Sequence, residues 1–569
     1  MEISRWAGQG ALGPGQRARD LARMAAERFD VVVVGGGVTG AGVALDAASR
    51  GLSVALLEMG DLAGGCSSRS GKVFHGGLRY LKQLDFSLVR QASHERNLMV
   101  ERLCPHLTHP TPFLFPLSRP GVDRLTMGAG VLLYDLLGGR RPTGMKGHRH
   151  LGKAGALREL PSLRAERICG AVEFHDVVFD DARHTMTVAR TAARHGAAVG
   201  TQLEVIGMLM DGPAVVGVRA RDRLGGGELE VRGRCVVNAS GAWADLVQRL
   251  AGEAQIEVRP AKGIHVVVPR SCIQGSAALI APTADSVLVI RPWWDHWLIG
   301  TTDTPWMHDR AAPVAAAPDV DYLLEQSSRW LSRPLRREDV VGVFAGVRPL
   351  VSGKGDSTAA LSRDHAVLSG PPGLVTVTGG KYTTYRVMAR DALDAALRAQ
   401  GGAVPPCVTA ETPLLGAEGW QDLRDRVDEL ARASGLEPEA MARLVGRYGG
   451  LATELLELLR ARPELARPLP GALRYMEAEA VHAASHEGAL HLEDVLARRT
   501  HVAMEVPDRG LAAAPRVAEL VGELLGWDGA RRSREVSGYR ATVEGDRAAE
   551  GQPDDARAHA ARAARIARG

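Results

Sequence analysis

The chain opens with short, unbroken apolar runs and closes with apolar positions at helical spacing. Residues 31–34 are four consecutive valines, the pattern of a strand buried on both faces of a parallel sheet. Gly35, Gly37 and Gly40 follow, and the spacing predicts a helix over 38–50 that ends at Gly51. A second strand is predicted over 52–57, closed by Glu58. RCVVN at 234–238 and LVTVT at 374–378 predict two further strands of the same kind, so one domain is assembled from distant segments. Between them lie 85–160 and a strand-rich 255–345 with Trp293, Trp294 and Trp297.

Gly401, Gly402, Pro405, Pro406 and Pro413 predict a linker over 401–413. Beyond it Leu423/Val427/Leu430, Met441/Leu444/Val445/Tyr448 and Val517/Leu520/Val521/Leu524 recur at helical spacing. The expected order is a 1–28 tail with one short helix over 17–28, a cofactor domain with interleaved cap over 29–400, the linker, a helical domain over 414–530, and a charged, partly disordered 531–569.

At 569 residues the chain exceeds one hydrophobic core. A net charge of +4 argues against wholesale nucleic-acid binding and leaves room for local basic patches. Six cysteines without a C-x-x-C pair predict neither a disulfide framework nor a zinc site and fit a reducing compartment. The first 28 residues lack a secretory apolar core, and no apolar stretch is long enough to span a bilayer.

Strand, G-x-G-x-x-G, helix, strand and terminal acid in this order point to a dinucleotide. Gly35 permits the tight turn, Gly37 the approach of a pyrophosphate, and Gly40 close packing of helix on sheet. The helix N-terminus faces the phosphates, and Glu58 stands where a ribose hydroxyl is held.

Four further motifs carry candidate chemistry. Residues 66–81, CSSRSGKVFHGGLRYL, hold the hydroxyls of Ser67 and Ser68, the cations Arg69, Lys72 and Arg79, and the paired Gly76 and Gly77, which let backbone approach a flat ring. His265 opens the β-branched run of GIHVVVP, where a lone histidine is usually structural. Arg348, between VGVFAG and a proline expected to stop strand pairing, suits an anion clamp or a plain surface ion pair. Gly379, Gly380 and Lys381 precede a helix predicted over 386–398, whose N-terminal amides stabilise negative charge. His482 and His486 are four apart on a predicted helix, but no third ligand is near, so no metal is expected and a solvated face is.

GGGVTGAG (35–42), SGKVFHGGLRYL (70–81), DDAR (180–183), VVNASGAWA (236–244), GIHVVVPR (263–270), GTTD (300–303), GVRPL (346–350), GGKYTTYR (379–386) and LEDVLARRT (492–500) together resemble the FAD-dependent, respiratory glycerol-3-phosphate dehydrogenases. The resemblance implies a Rossmann-like α/β FAD-binding domain, a β-sheet substrate cap like that of D-amino-acid oxidase, and a C-terminal all-α domain. It implies non-covalent FAD, held by Gly35, Gly37, Gly40, Glu58, Ser67, Ser68, Gly76, Gly77, Gly241, Gly379 and Gly380. It implies oxidation of sn-glycerol 3-phosphate to dihydroxyacetone phosphate, with electrons passed to membrane quinone. Arg79, Tyr80, His265, Arg348 and Lys381 match the family's substrate-site positions. The chain departs from the usual serine-rich loop at Arg69 and Gly71.

Within this reading Arg79 and Arg348 recognise charge, because arginine stays protonated. His265 is the reasonable proton acceptor, and Lys381 could hold a developing alkoxide or the charge of reduced flavin. An oxidase that passes electrons to oxygen, a non-catalytic flavin module and, more weakly, an amino-acid oxidase are the alternatives. The expected location is cytoplasmic, peripherally on the inner face of an anionic membrane. The basic loop over 140–150 or the arginine-rich tail after 531 would attach it. A homodimer is left open.

Overall fold

A computed structural model describes residues 8–77, 85–119, 121–283, 287–353, 365–401 and 403–568. Among them an eight-stranded sheet runs in the order His365–Ser369, Leu374–Gly379, Glu228–Asn238, Arg28–Val34, Val54–Leu57, Ala198–Gly200, with Leu203–Asp211 and Ala214–Asp222 attached through Glu228–Asn238. From Leu374–Gly379 to Ala198–Gly200 all neighbours are parallel. Val31, Val33 and Val237 pack one way, in one cluster with Ala41 and Ala44 of the helix Val38–Ser49 and Met388 and Ala392 of the helix Tyr385–Ala399. Val32, Val34 and Val236 pack the other way with Met24. Burial on both faces is why these strands are unbroken apolar runs.

A mainly antiparallel ten-stranded sheet forms the cap. Its longest strand, Ile256–Pro269, pairs with Gly342–Gly353 on one side and with His296–Gly300 on the other. Alternation along the strand separates two faces. Ile264, Val266 and Val268 pack against Val320, Leu323 and Leu324 of the helix Ala317–Ser328, and the opposite face presents His265. The sequence predicts that Pro349 stops strand pairing, but pairing continues through it: Arg348 stands opposite Ala261 and Pro349 opposite Pro260. Gly342–Gly353 pairs on one edge only among the described residues, so the missing proline N–H breaks no ladder.

Helices from Trp420–Asp425 to Ala514–Leu525 form a third region around a core that includes Met441, Leu444, Leu455, Val495 and Val517. His482 and His486 do not sit on a solvated face. Their rings stack with centroids 4.8 Å apart, and His482 is fully buried with Nε2 2.7 Å from Glu454 Oε2. No cluster of metal-ligating side chains exists among the described residues.

Over their described residues, both end regions pack more closely than the sequence suggests. At the N-terminus, the helix Pro14–Ala26 buries Met24, and its Asp20 accepts a 2.8 Å hydrogen bond from the Val199 amide. Residues 531–569 are corrected from a partly disordered tail to two helices over their described part, Gly529–Glu550 and Asp555–Ile566. Ala549 and Ala558 are fully buried beside Trp306 and Val314 of the cap. Alanine-rich helices approach closely without large side chains, so low hydrophobicity does not mean lack of packing. Buried Lys262 ties the hairpin down, its Nζ donating to Asp319 at 2.5 Å and also to Asp555. Lys262→Met, which strands two carboxylates, should lower the apparent melting temperature in a thermal-shift experiment, a loss of about 3–5 kcal/mol. Asp555→Ala, which leaves the Lys262–Asp319 pair, should lower it less.

Candidate active site

The parallel strands end at one edge of the cofactor sheet, and the cap sheet faces that edge across a cleft of about 2320 Å³. This exceeds the usual volume of a single small-ligand pocket, about 300–1,000 Å³, and leaves space for a dinucleotide together with a substrate. Gly35, Gly37, Glu58, Ser67, Gly77, Gly241, Gly379, Gly380, Lys381, His265 and Arg348 all line it.

The nucleotide end is built by close backbone packing. Gly35 has φ +111°, and a Cβ at Gly40 would lie 1.8 Å from the Gly35 carbonyl oxygen. Neither position accepts a side chain. Glu58 accepts hydrogen bonds from the amides of Gly36 (2.6 Å) and Gly60 (2.8 Å). Burial raises its carboxyl pKa, and these two amides oppose the rise. Ser67 Oγ accepts from the Val38 amide at 2.9 Å, which places the serine loop against the helix N-terminus. Glycine backbone, a helix N-terminus and a strand-end acid fit the phosphates and ribose of FAD.

Three residues expected at the cofactor do not line the cleft. Gly40 acts in packing. The Ser68 carbonyl accepts from Lys72 Nζ at 2.9 Å. The Gly76 amide donates to Tyr134 Oη (2.8 Å) and Asp176 Oδ1 (3.2 Å). Arg79 and Tyr80 lie outside the described residues. Lys72, one of the three cations of this loop, is fully buried and paired with Asp181. Cys66 donates to the Val347 carbonyl, and burial raises its thiol pKa, so the thiol stays protonated.

At the cap end, glycines make room for the functional side chains. Gly300 stands opposite His265, where a Cβ would come within 2.2 Å of the imidazole. A Cβ at Gly263 would lie 2.5 Å from Arg348 Nη2. His265 stacks on Phe344, with centroids 4.9 Å apart, and its buried Nδ1 has no hydrogen-bond partner among the described residues. Burial first, then the charges of Arg291, Arg348 and Lys72, hold its pKa well below the usual imidazole range. The ring is therefore neutral at physiological pH. Arg348 donates to Asp303 (3.0 Å), Thr301 Oγ1 (3.0 Å) and the Thr302 carbonyl (3.1 Å), so it is both an ion pair and part of the cleft wall. Lys381 enters the cleft ahead of the Tyr382–Thr384 turn, after Gly379 and Gly380, which have φ +72° and +68°.

Sequence reasoning missed Arg291, a buried guanidinium in the same cleft whose pKa burial lowers to about 9. The only signal was a charged residue interrupting the β-branched run VLVI at 287–290.

Two family patterns match this chain: FAD dependent oxidoreductase over residues 30–386, and C-terminal domain of alpha-glycerophosphate oxidase over 407–532. Glycerol-3-phosphate dehydrogenase 2 of Mycobacterium tuberculosis is 49% identical over 554 residues, covering 97% of this chain and 94% of that protein. The mitochondrial glycerol-3-phosphate dehydrogenase of Homo sapiens is 34% identical over 550 residues, covering 93% of this chain and 75% of that one. A solved glycerol-3-phosphate dehydrogenase from Bacillus halodurans, complexed with FAD, superposes with a TM-score of 0.77 at 26% identity and covers 94% of this chain and 98% of its own. With the glycine turn, the cap sheet and the helical C-terminal region all in place, the chain belongs to the FAD-dependent glycerol-3-phosphate dehydrogenase family, and its cofactor is FAD.

Proposed function

We propose that the chain oxidises sn-glycerol 3-phosphate to dihydroxyacetone phosphate and passes the electrons to a membrane quinone. The observation that carries the first half is a neutral His265 in one cleft with Arg348, Lys381 and the dinucleotide glycines. Bound FAD supplies the two-electron acceptor for the hydrogen on C2 of the substrate. His265 takes the C2 hydroxyl proton, which a neutral imidazole surrounded by fixed cations can do without prior deprotonation. Those cations attract the phosphate and stabilise the alkoxide as the proton leaves. Arg348, braced by Asp303 and Thr301, keeps its orientation, and Lys381 acts from the opposite wall. Glu58 receives a ribose hydroxyl of the cofactor.

The quinone assignment rests on an apolar wall and an apolar helix. Phe113, Phe115, Pro116, Ile280, Val287 and Val289 line one side of the cleft, which extends to Met127 and Gly130 of the helix Val122–Leu137. Leu125, Leu132 and Leu136 of that helix are 75%, 50% and 70% exposed. They lie seven and four residues apart, on one helical face. The exposed Arg140, Arg141 and Lys146 follow directly. An apolar stripe flanked by cations suits peripheral attachment to an anionic bilayer. No helix among the described residues is long and apolar enough to cross one. This favours the 140–150 region over the C-terminal hairpin, which is packed on the cap.

His265→Gln should lower kcat roughly 100-fold or more with a dye acceptor while FAD stays bound. Because the folded protein lowers the His265 pKa, the base-competent form survives as pH falls. Wild-type kcat should therefore hold level from about pH 8 to about pH 6.5, with its acid limb below that range. A limb above it counts against His265 as the base.

Glu58→Ala should reduce bound FAD, measured by absorbance after gel filtration, with retention of wild-type affinity the contrary result. Leu132→Glu with Leu136→Glu should weaken sedimentation with anionic liposomes and slow quinone reduction, yet spare turnover with a soluble dye. Faster reduction of oxygen than of a quinone analogue would reject the quinone assignment.

A further inference from the structure

Arg291 lies on the strand Val287–Trp293, two residues beyond Val289. Val289 stands opposite Gly300, and Gly300 opposite His265, so strand alternation places Arg291 on the cleft face that carries the histidine. It is 1% exposed. Its Nε donates to the Gly71 carbonyl at 2.9 Å, and Nη1 makes a long 3.4 Å contact with the Pro292 carbonyl. Its Nη2 is buried and has no hydrogen-bond partner among the described residues. The guanidinium lies 5.1 Å from the centroid of the Trp293 ring.

The molecule's other buried arginines are treated differently. Arg96, Arg183, Arg190, Arg386, Arg447 and Arg499 each meet a carboxylate: Asp176, Glu487, Glu454, Glu95, Asp180 and Asp61. Among the described residues Arg291 is the buried arginine without an ion pair. Asp181, the acid whose charge acts on it, is already engaged by Lys72, by both the amide and hydroxyl of Ser70, and by the Ala182 amide. A buried cation left this way is destabilising, and an anion entering the cleft removes that cost.

We propose that Arg291 is a phosphate-binding residue of the substrate site, donating Nη2 from the cap sheet to a phosphate oxygen of sn-glycerol 3-phosphate. The inference rests on the glycerol 3-phosphate reading above. A dianion suits the position, because Lys72 is neutralised by Asp181 and Arg348 is paired with Asp303, while Arg291 has no acid of its own. A guanidinium meets phosphate oxygens through a planar fork, which lysine lacks.

The test compares full-length, FAD-loaded wild type with Arg291→Gln and Arg291→Lys. Three quantities are read: bound FAD per chain, KM and kcat for sn-glycerol 3-phosphate, and the affinity for inorganic phosphate followed by flavin absorbance. Arg291→Gln should raise KM and weaken phosphate binding roughly 10- to 100-fold. Its kcat and FAD content should move much less. Arg291→Lys should recover part of the loss. Wild-type KM and phosphate affinity in Arg291→Gln overturn the proposal. So does loss of FAD or of the fold in both variants, which assigns Arg291 to the scaffold. If wild type fails to oxidise glycerol 3-phosphate, the functional reading falls, and the phosphate titration alone decides Arg291. Dependence on Arg291 then supports an anion site, and independence rejects it.

Discussion

Asp181, in the first turn of the helix Asp181–Arg194, accepts hydrogen bonds from the Ser70 amide and hydroxyl, the Ala182 amide and Lys72 Nζ. Both Asp181 and Lys72 have no exposed surface. An ammonium and three further donors surround this buried carboxylate, at the positive end of a helix. The pair connects three parts of the molecule. Ser70 and Lys72 belong to the loop that lines the cofactor end of the cleft. The Lys72 carbonyl receives the Phe179 amide at the edge of the cap sheet. Tyr382, next to Lys381, donates its hydroxyl to the Asp181 carbonyl. The cofactor loop, the cap and the lysine are thus positioned from one buried ion pair, and the loop cannot shift without exposing a charge to an apolar interior.

The cap end follows a different logic. His265, Arg291 and Arg348 extend from three strands on one face of the cap sheet, and Gly300 and Gly263 are backbone cut away to admit the His265 and Arg348 side chains. Burial in this cleft lowers the imidazole pKa, and the crowded cations lower it further. That same arrangement keeps the histidine neutral and makes the cleft receptive to a dianion. The neighbouring arginine charges and the neutral base are therefore a single electrostatic design.

The C-terminal regions act as a brace. Arg499 and Arg498 both reach Asp61 in the cofactor domain, and Arg183 meets Glu487. Lys262 of the cap meets Asp555 of the final hairpin. These buried bridges join segments hundreds of residues apart, so the helical region holds the cofactor and cap sheets around the cleft.

Much of this was legible in the chain by itself. The parallel strands, the helix after the glycines and the helical C-terminal region follow from local apolar periodicity, which burial on one or both faces imposes directly. Matching motifs placed His265, Arg348, Lys381 and most of the cofactor glycines in one cleft, and the Gly35–Gly40 clash shows why only glycine fits there. Other properties depend on partners distant in sequence, and only the tertiary structure decided them. Lys72 stood out only as one of three cations in its loop, and the structure shows that Asp181 neutralises it. His482 looked solvated until Glu454 enclosed it. The alanine-rich C-terminus showed no core because its core is Trp306 and Val314 of another region. Arg291 was invisible for the converse reason: its importance lies in an acid that is missing, and only the complete set of neighbours around a buried charge reveals that.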